Sequence, residues 1–172
     1  MIAPLETAIG GKVVLDAATG RYYLQVPAEG RLEMPLIAEG LRKLAMLVRL
    51  ITTGTLLEQG QLYWDEPETN LNPKLIALIA RSIMYLARQG IQVFVATHSL
   101  FLLRELELLS LSAEFQSVGT RYFGLRATED GNELEQGDEA SDLTTLVLLD
   151  EELKQSDRYL YMDTDAGNVE FN

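Results

Sequence analysis

The sequence contains no cysteine, which excludes disulfides and thiolate metal sites and suits a reducing compartment. It has no run of about 18 to 20 uninterrupted apolar residues, the length a bilayer-spanning helix requires. The richest candidate, Leu44-Ala45-Met46-Leu47-Val48-Arg49-Leu50-Ile51, is short and carries an arginine. The N-terminus shows no basic segment leading into an apolar run, so a secretory signal is not expected. These absences lead to the expectation of a soluble, cytoplasmic protein without membrane partners. Histidine is nearly absent too, with His98 the single copy.

Basic side chains are scarce in one region only. Residues 1–127 hold 12 acidic and 12 basic side chains, whereas residues 128–172 hold 14 acids against Lys154 and Arg158. The whole net charge of −12 therefore resides in this acidic C-terminal segment, which would repel a phosphate backbone. It reads first as a solvated face and alternatively as a docking surface for a basic partner. With 47% hydrophobic residues, the 172-residue chain is able to bury a core the size of one domain or part of a larger one.

Lys12–Asp16 and Tyr22–Val26 are β-prone runs joined by Ala17-Ala18-Thr19-Gly20, which predicts a hairpin. Leu32–Ile37 reads as a third extended run. From Glu39 to Thr52, Leu41, Leu44, Ala45, Leu47, Val48 and Ile51 recur at helical spacing, with Gly54 as the stop. Gln61–Asp65 reads as a strand, and a helix follows from Pro73 to about Gln89, closed by Gly90. Ile91–Thr97 is an almost wholly apolar run, expected to be a parallel strand covered on both faces. Ser99 is placed to cap a second helix running to about Leu109. A strand near Ser117–Leu125, an acidic turn and a helix from about Ser141 to Leu153 complete the reading. This alternation predicts an α/β fold: a mostly parallel sheet with flanking helices, preceded by a β-hairpin.

Two strand ends carry chemistry. Leu62-Tyr63-Trp64-Asp65-Glu66-Pro67 puts adjacent carboxylates at the carboxyl end of a strand, where open α/β sheets bind ligands. One carboxylate suffices for a Mg²⁺ that keeps its waters and takes phosphate oxygens, and its neighbour is then placed to deprotonate a water. Ile91–Thr97 runs into His98-Ser99 in the same orientation, so an imidazole there is placed to reach a phosphate oxygen or the attacking water. A lone histidine more often has a structural role; two matching strand ends separated by one helix favour the site.

Together with the turn Pro67-Glu68-Thr69-Asn70-Leu71-Asn72-Pro73 and the switch Ala96-Thr97-His98-Ser99, Leu62–Glu66 resembles the Walker B region of ABC-type ATPases, nearest their SMC-like and OLD-like AAA branch. The resemblance spans residues 32–109, and more loosely reaches Arg121-Tyr122-Phe123 and Ser156-Asp157-Arg158. It implies a P-loop NTPase-like fold in which residues 1–172 form the C-terminal portion of the ATPase domain. Residues 38–53 would be the signature helix, 62–66 the Walker B strand, 67–73 the D-loop and 96–99 the histidine switch. It further implies ATP and Mg²⁺ as cofactors, Glu66 and His98 as catalytic residues and Asp65 as the metal ligand. Glu39, Gly40 and Asn70 would be contacts to nucleotide. Ala38 stands where a signature serine is common, leaving Gly40 and the helix N-terminus to meet a phosphate.

The phosphate-binding G-x-x-x-x-G-K-[ST] turn does not occur in these 172 residues. Gly10-Gly11-Lys12-Val13 comes nearest, but the frame fails, Val13 has no hydroxyl, and a hairpin follows instead of a helix. The expectation is therefore of a chain that hydrolyses ATP only as a homodimer or with a P-loop-bearing partner, and that by itself leaves one face of its sheet without a partner. Any nucleic acid would be reached through the full assembly, and a nuclease or defence-system partner is conceivable. The competing reading is an inert remnant used for dimerisation or regulation. A carboxylate-metal nuclease is disfavoured, because the remaining acids crowd into the tail instead of clustering at strand ends.

Overall fold

The computed structural model describes residues 1–56, 60–128, 131–143 and 154–159. It divides into two units, residues 1–119 and 120–172.

The first unit begins with helix α1 (Ile2–Ile9), which the sequence reading did not anticipate; Gly10 closes it at φ +82, and Leu5 and Ile9 enter the core. Strands β1 (Lys12–Asp16), β2 (Arg21–Val26) and β3 (Gly30–Glu33) follow as an antiparallel meander. The expected hairpin is present, with Lys12 opposite Gln25 and Asp16 opposite Arg21. The third run is shorter than expected. It starts at Gly30 and gives way to a 3-10 turn over Met34–Leu36, because Pro35 within that turn has no N–H to donate to a ladder.

Helix α2 (Glu39–Thr52) has the predicted bounds, and its periodic stripe buries Leu44, Ala45, Leu47 and Val48. Arg49, on another face, lies 4.2 Å over the Tyr22 ring and ties α2 to β2. Strand β4 (Gln61–Asp65), helix α3 (Pro73–Arg88) and strand β5 (Gln92–Ala96) form a βαβ unit in which β4 and β5 pair in parallel, Asp65 opposite Ala96. Asn72 caps α3 by accepting from Leu75 N–H at 3.1 Å, and Ser99 caps α4 (Leu100–Ser110) by accepting from Leu102 N–H at 3.2 Å. One core joins α1, the meander and α2 to Trp64 of β4 and Ile79, Ile83 and Leu86 of α3.

Among the described residues the β4–β5 sheet is covered on one face only, so the two-sided cover expected of Ile91–Thr97 is not met. Leu62, Trp64, Val93 and Val95 point into the core, while Gln61, Tyr63, Asp65, Gln92, Phe94 and Ala96 are exposed. Tyr63 is 69% exposed and Phe94 38%, and their rings stack at 4.6 Å with 4° between planes. Apolar residues on both faces of a strand record what the fold is built to cover, and among the described residues nothing covers this side.

After α4, Phe115 is wholly buried with the guanidinium groups of Arg81 and Arg88 over its ring, and these also bind Glu114 at 2.6 and 3.6 Å.

In the second unit, the strand expected near Ser117–Leu125 lies at Tyr122–Thr128 (β6). It does not join the parallel sheet. It pairs antiparallel with β7 (Gly131–Gly137), whose acidic sequence of low β propensity gave no strand signal. Residues 140–142 form a 3-10 turn where a longer helix was expected to begin, with Asp142 accepting from the N–H groups of Asp138 and Glu139 at 3.0 Å each. The rest of that expected helix, 144–153, lies outside the described residues. Residues 154–159 are helical and exposed. No described helix is long and apolar enough to cross a membrane.

Candidate active site

The end of β4 and the end of β5 are brought together by their parallel register, which Glu66 N–H extends by one hydrogen bond to Ala96 C=O at 2.8 Å. Asp65 remains on the exposed sheet face as the last residue of β4. Glu66 then takes a positive φ of +42, a region that side chains other than Gly, Asn and Asp rarely enter. This turn breaks the strand alternation that would otherwise send the adjacent carboxylates to opposite faces. Asn70, at φ +64, is a second left-handed residue in the same loop. The hydrogen bonds Thr69 N–H to Glu66 C=O and Leu71 N–H to Glu68 C=O, at 3.2 and 3.1 Å, wind that loop into consecutive turns.

Both oxygens of the Glu66 carboxylate are held. His98 Nδ1 lies 2.8 Å from Oε1, and the Thr69 hydroxyl donates to Oε2 at 3.0 Å. Glu66 is 44% exposed and His98 71%, so the pair lies at the surface, open to a water and a substrate. Each carboxylate oxygen keeps a lone-pair site after these bonds, sufficient to accept from an attacking water.

Three of the supporting residues were not singled out from the sequence. Lys43, on α2, donates from Nζ to the Glu66 carbonyl at 2.7 Å and fastens that helix to the strained residue. Thr69 steers the carboxylate itself. Glu68 is buried to 6% exposure and accepts from the Thr97 hydroxyl at 2.5 Å. Thr97 belongs to the predicted switch 96–99, but the sequence assigns its hydroxyl no partner. A glutamate in a polar turn is ordinarily solvated, so no local signal marks Glu68 as buried.

The residues proposed to meet nucleotide fall into two groups. Glu39 is exposed in the first turn of α2, where an acid complements the helix dipole, and Asn70 is exposed in the loop. Gly40 is buried against that loop: a Cβ there would lie 2.3 Å from Asn70 O and 2.7 Å from Leu71 Cδ2. Its lack of a side chain is therefore already required by packing. Gly10-Gly11-Lys12 joins the end of α1 to the start of β1, the reverse of a strand-to-helix phosphate loop.

A Mg²⁺ ion is compatible with this donor set in a restricted sense. No group of three or more acidic or histidine side chains converges among the described residues. One hard carboxylate at a strand end suits an ion that takes its other ligands from water and phosphates.

The same arrangement of chain occurs in solved structures. One, described as "Structural biochemistry of ATP-driven dimerization and DNA stimulated activation of SMC ATPases", matches with a TM-score of 0.55 at 10% identity, over 90% of this chain and 91% of that one. The SMC head bound to the C-winged helix domain of ScpA matches with a TM-score of 0.59 at 10% identity, over 79% of this chain. The SMC head domain from Thermotoga maritima matches with a TM-score of 0.52 at 15% identity, over 78% of this chain. The chain spans 39% and 43% of the length of these last two. No curated protein matches the chain. The fold is thus similar to that of SMC ATPase heads. The family model described as "AAA domain, putative AbiEii toxin, Type IV TA system" matches residues 5–104, more than half of the chain, and the chain belongs to that AAA family of ATPases.

Proposed function

We propose that this chain contributes the water-activating half of an ATP-hydrolysing site. Glu66 is the general base, and His98 and Thr69 hold its carboxylate. Asp65 is one ligand of a Mg²⁺ that neutralises phosphate charge when nucleotide is bound. Glu39, Gly40 and Asn70 lie on the signature and D-loop elements that approach nucleotide from the side. The observation that carries this reading is the two-sided hold on Glu66, by His98 Nδ1 on one oxygen and Thr69 Oγ1 on the other, at a strained strand end.

The phosphate-binding loop of this site comes from a second polypeptide or a further segment. The bare face of the β4–β5 sheet supports that dependence, as does the greater length of two of the similar SMC heads. A pairing of two such assemblies across ATP, and a nuclease or defence-system setting, extend the same reading.

The test is Mg-ATPase activity of the chain alone and with a P-loop-bearing polypeptide encoded beside it. Turnover is expected only in the mixture, and Glu66→Gln lowers it by roughly 10²- to 10⁴-fold, the range for loss of a general base. Hydrolysis by the isolated chain would overturn the need for a partner. A mixture without turnover would favour an inert dimerisation module instead.

A further inference from the structure

An exposed histidine–carboxylate pair has little energy of its own with which to hold a geometry. His98 is 71% exposed, yet its Nδ1 sits 2.8 Å from Glu66. The constraint must come from the backbone that carries the ring, and the residues on either side of His98 supply it. The Thr97 hydroxyl accepts from Ser99 N–H at 3.0 Å, closing a turn around His98, and donates its single proton to Glu68 Oε1. A hydroxyl has one proton to give, so an acceptor at Glu68 fixes the rotor and leaves the lone pair facing Ser99 N–H. Ser99 in turn caps α4.

Glu68 is an expensive anchor. It is buried to 6% exposure, and its second oxygen, Oε2, is buried without a hydrogen-bond partner. A buried polar atom left unsatisfied works against folding, so its presence calls for a use elsewhere. Glu68 lies two residues beyond Glu66, in the same loop, and reaches the strand end that carries His98.

We infer that Glu68, acting through the Thr97 hydroxyl, is the positioning residue that aims His98 Nδ1 at Glu66. The loop after β4 thereby sets both members of the pair: Glu66 directly, and His98 through Glu68 and Thr97. This inference rests on the proposed role of Glu66 for its catalytic consequence but not for its geometry, and the two are separable by experiment.

His98 is the only histidine, so its ring nitrogens are resolved without overlap in ¹⁵N-labelled chain. In the unaltered protein at alkaline pH, the long-range ¹H–¹⁵N pattern is expected to show the Nδ1–H tautomer. Thr97→Val, which keeps the shape and removes the hydroxyl, shifts the ring toward the Nε2–H form that a free histidine side chain prefers; Thr97→Ser keeps Nδ1–H. Glu68→Gln, which keeps an acceptor, retains the tautomer, and Glu68→Leu loses it. An unchanged tautomer in folded Thr97→Val or folded Glu68→Leu overturns the inference, and the Glu68 pair decides the matter should Thr97→Val fail to fold. With the P-loop partner and Mg-ATP, Thr97→Val lowers kcat by about 10²-fold with little change in KM, the scale of a misplaced catalytic group. If Glu66→Gln leaves turnover intact while the tautomer responds as described, the catalytic role of Glu66 fails and the positioning role of Glu68 stands.

Discussion

The α-carbon of Gly40 packs so close to the carbonyl of Asn70 that any Cβ would lie 2.3 Å from that oxygen. Helix α2 and the loop carrying Glu66 are therefore pressed together at a point where only glycine fits. Lys43, one turn further along α2, adds its bond to the Glu66 carbonyl. The two elements are thereby joined at two points.

Gly40→Ala should accordingly lower stability by about 1–3 kcal/mol, the cost of overpacking against backbone that cannot yield. Urea unfolding checks it: the midpoint falls while the slope is unchanged. A midpoint equal to that of the unaltered chain would show that α2 and the loop separate freely.

Phe115 is wholly buried beneath two guanidinium groups, and Phe115→Ala should cost about 3–5 kcal/mol. Glu114→Gln, which weakens the exposed ion pairs to Arg81 and Arg88, should cost about 0–1 kcal/mol. Thermal denaturation of the two variants tests the ordering. Equal losses would mean that charge, not burial, anchors residues 111–118 to α3.

Tyr63 and Phe94 stack on the open sheet face. Replacing both by serine should change stability by only about 1 kcal/mol, since exposed aromatic pairs contribute about 0.5–1.5 kcal/mol beyond area burial. Binding of the P-loop-bearing polypeptide, measured by titration calorimetry, should weaken at least roughly tenfold, the scale of losing a central aromatic anchor. Unchanged affinity would place the partner on another surface.

Much of the candidate site was legible in the chain itself. The strand Gln61–Asp65, the capped helix Pro73–Arg88 and the strand into His98 each announce themselves through patterns a few residues long. Asp65, Glu66 and His98 follow because strand ends are visible in such patterns. The apolar run of β5 shows what a strand is suited to be buried by, and only the packing shows which of its faces is covered.

By itself the sequence determined the order of elements from β1 to α4, the Ser99 cap and the carboxylates and imidazole at two strand ends, because propensity, capping and periodicity act between near neighbours. Tertiary structure alone decided which side chains hold those groups. Lys43 meets Glu66 across 23 positions and Glu68 meets Thr97 across 29, separations that no local spacing encodes. It also decided that β6 pairs with the acidic β7 and not with the parallel sheet, since strand pairing depends on which hydrogen-bonding edge is within reach, and propensity does not specify that.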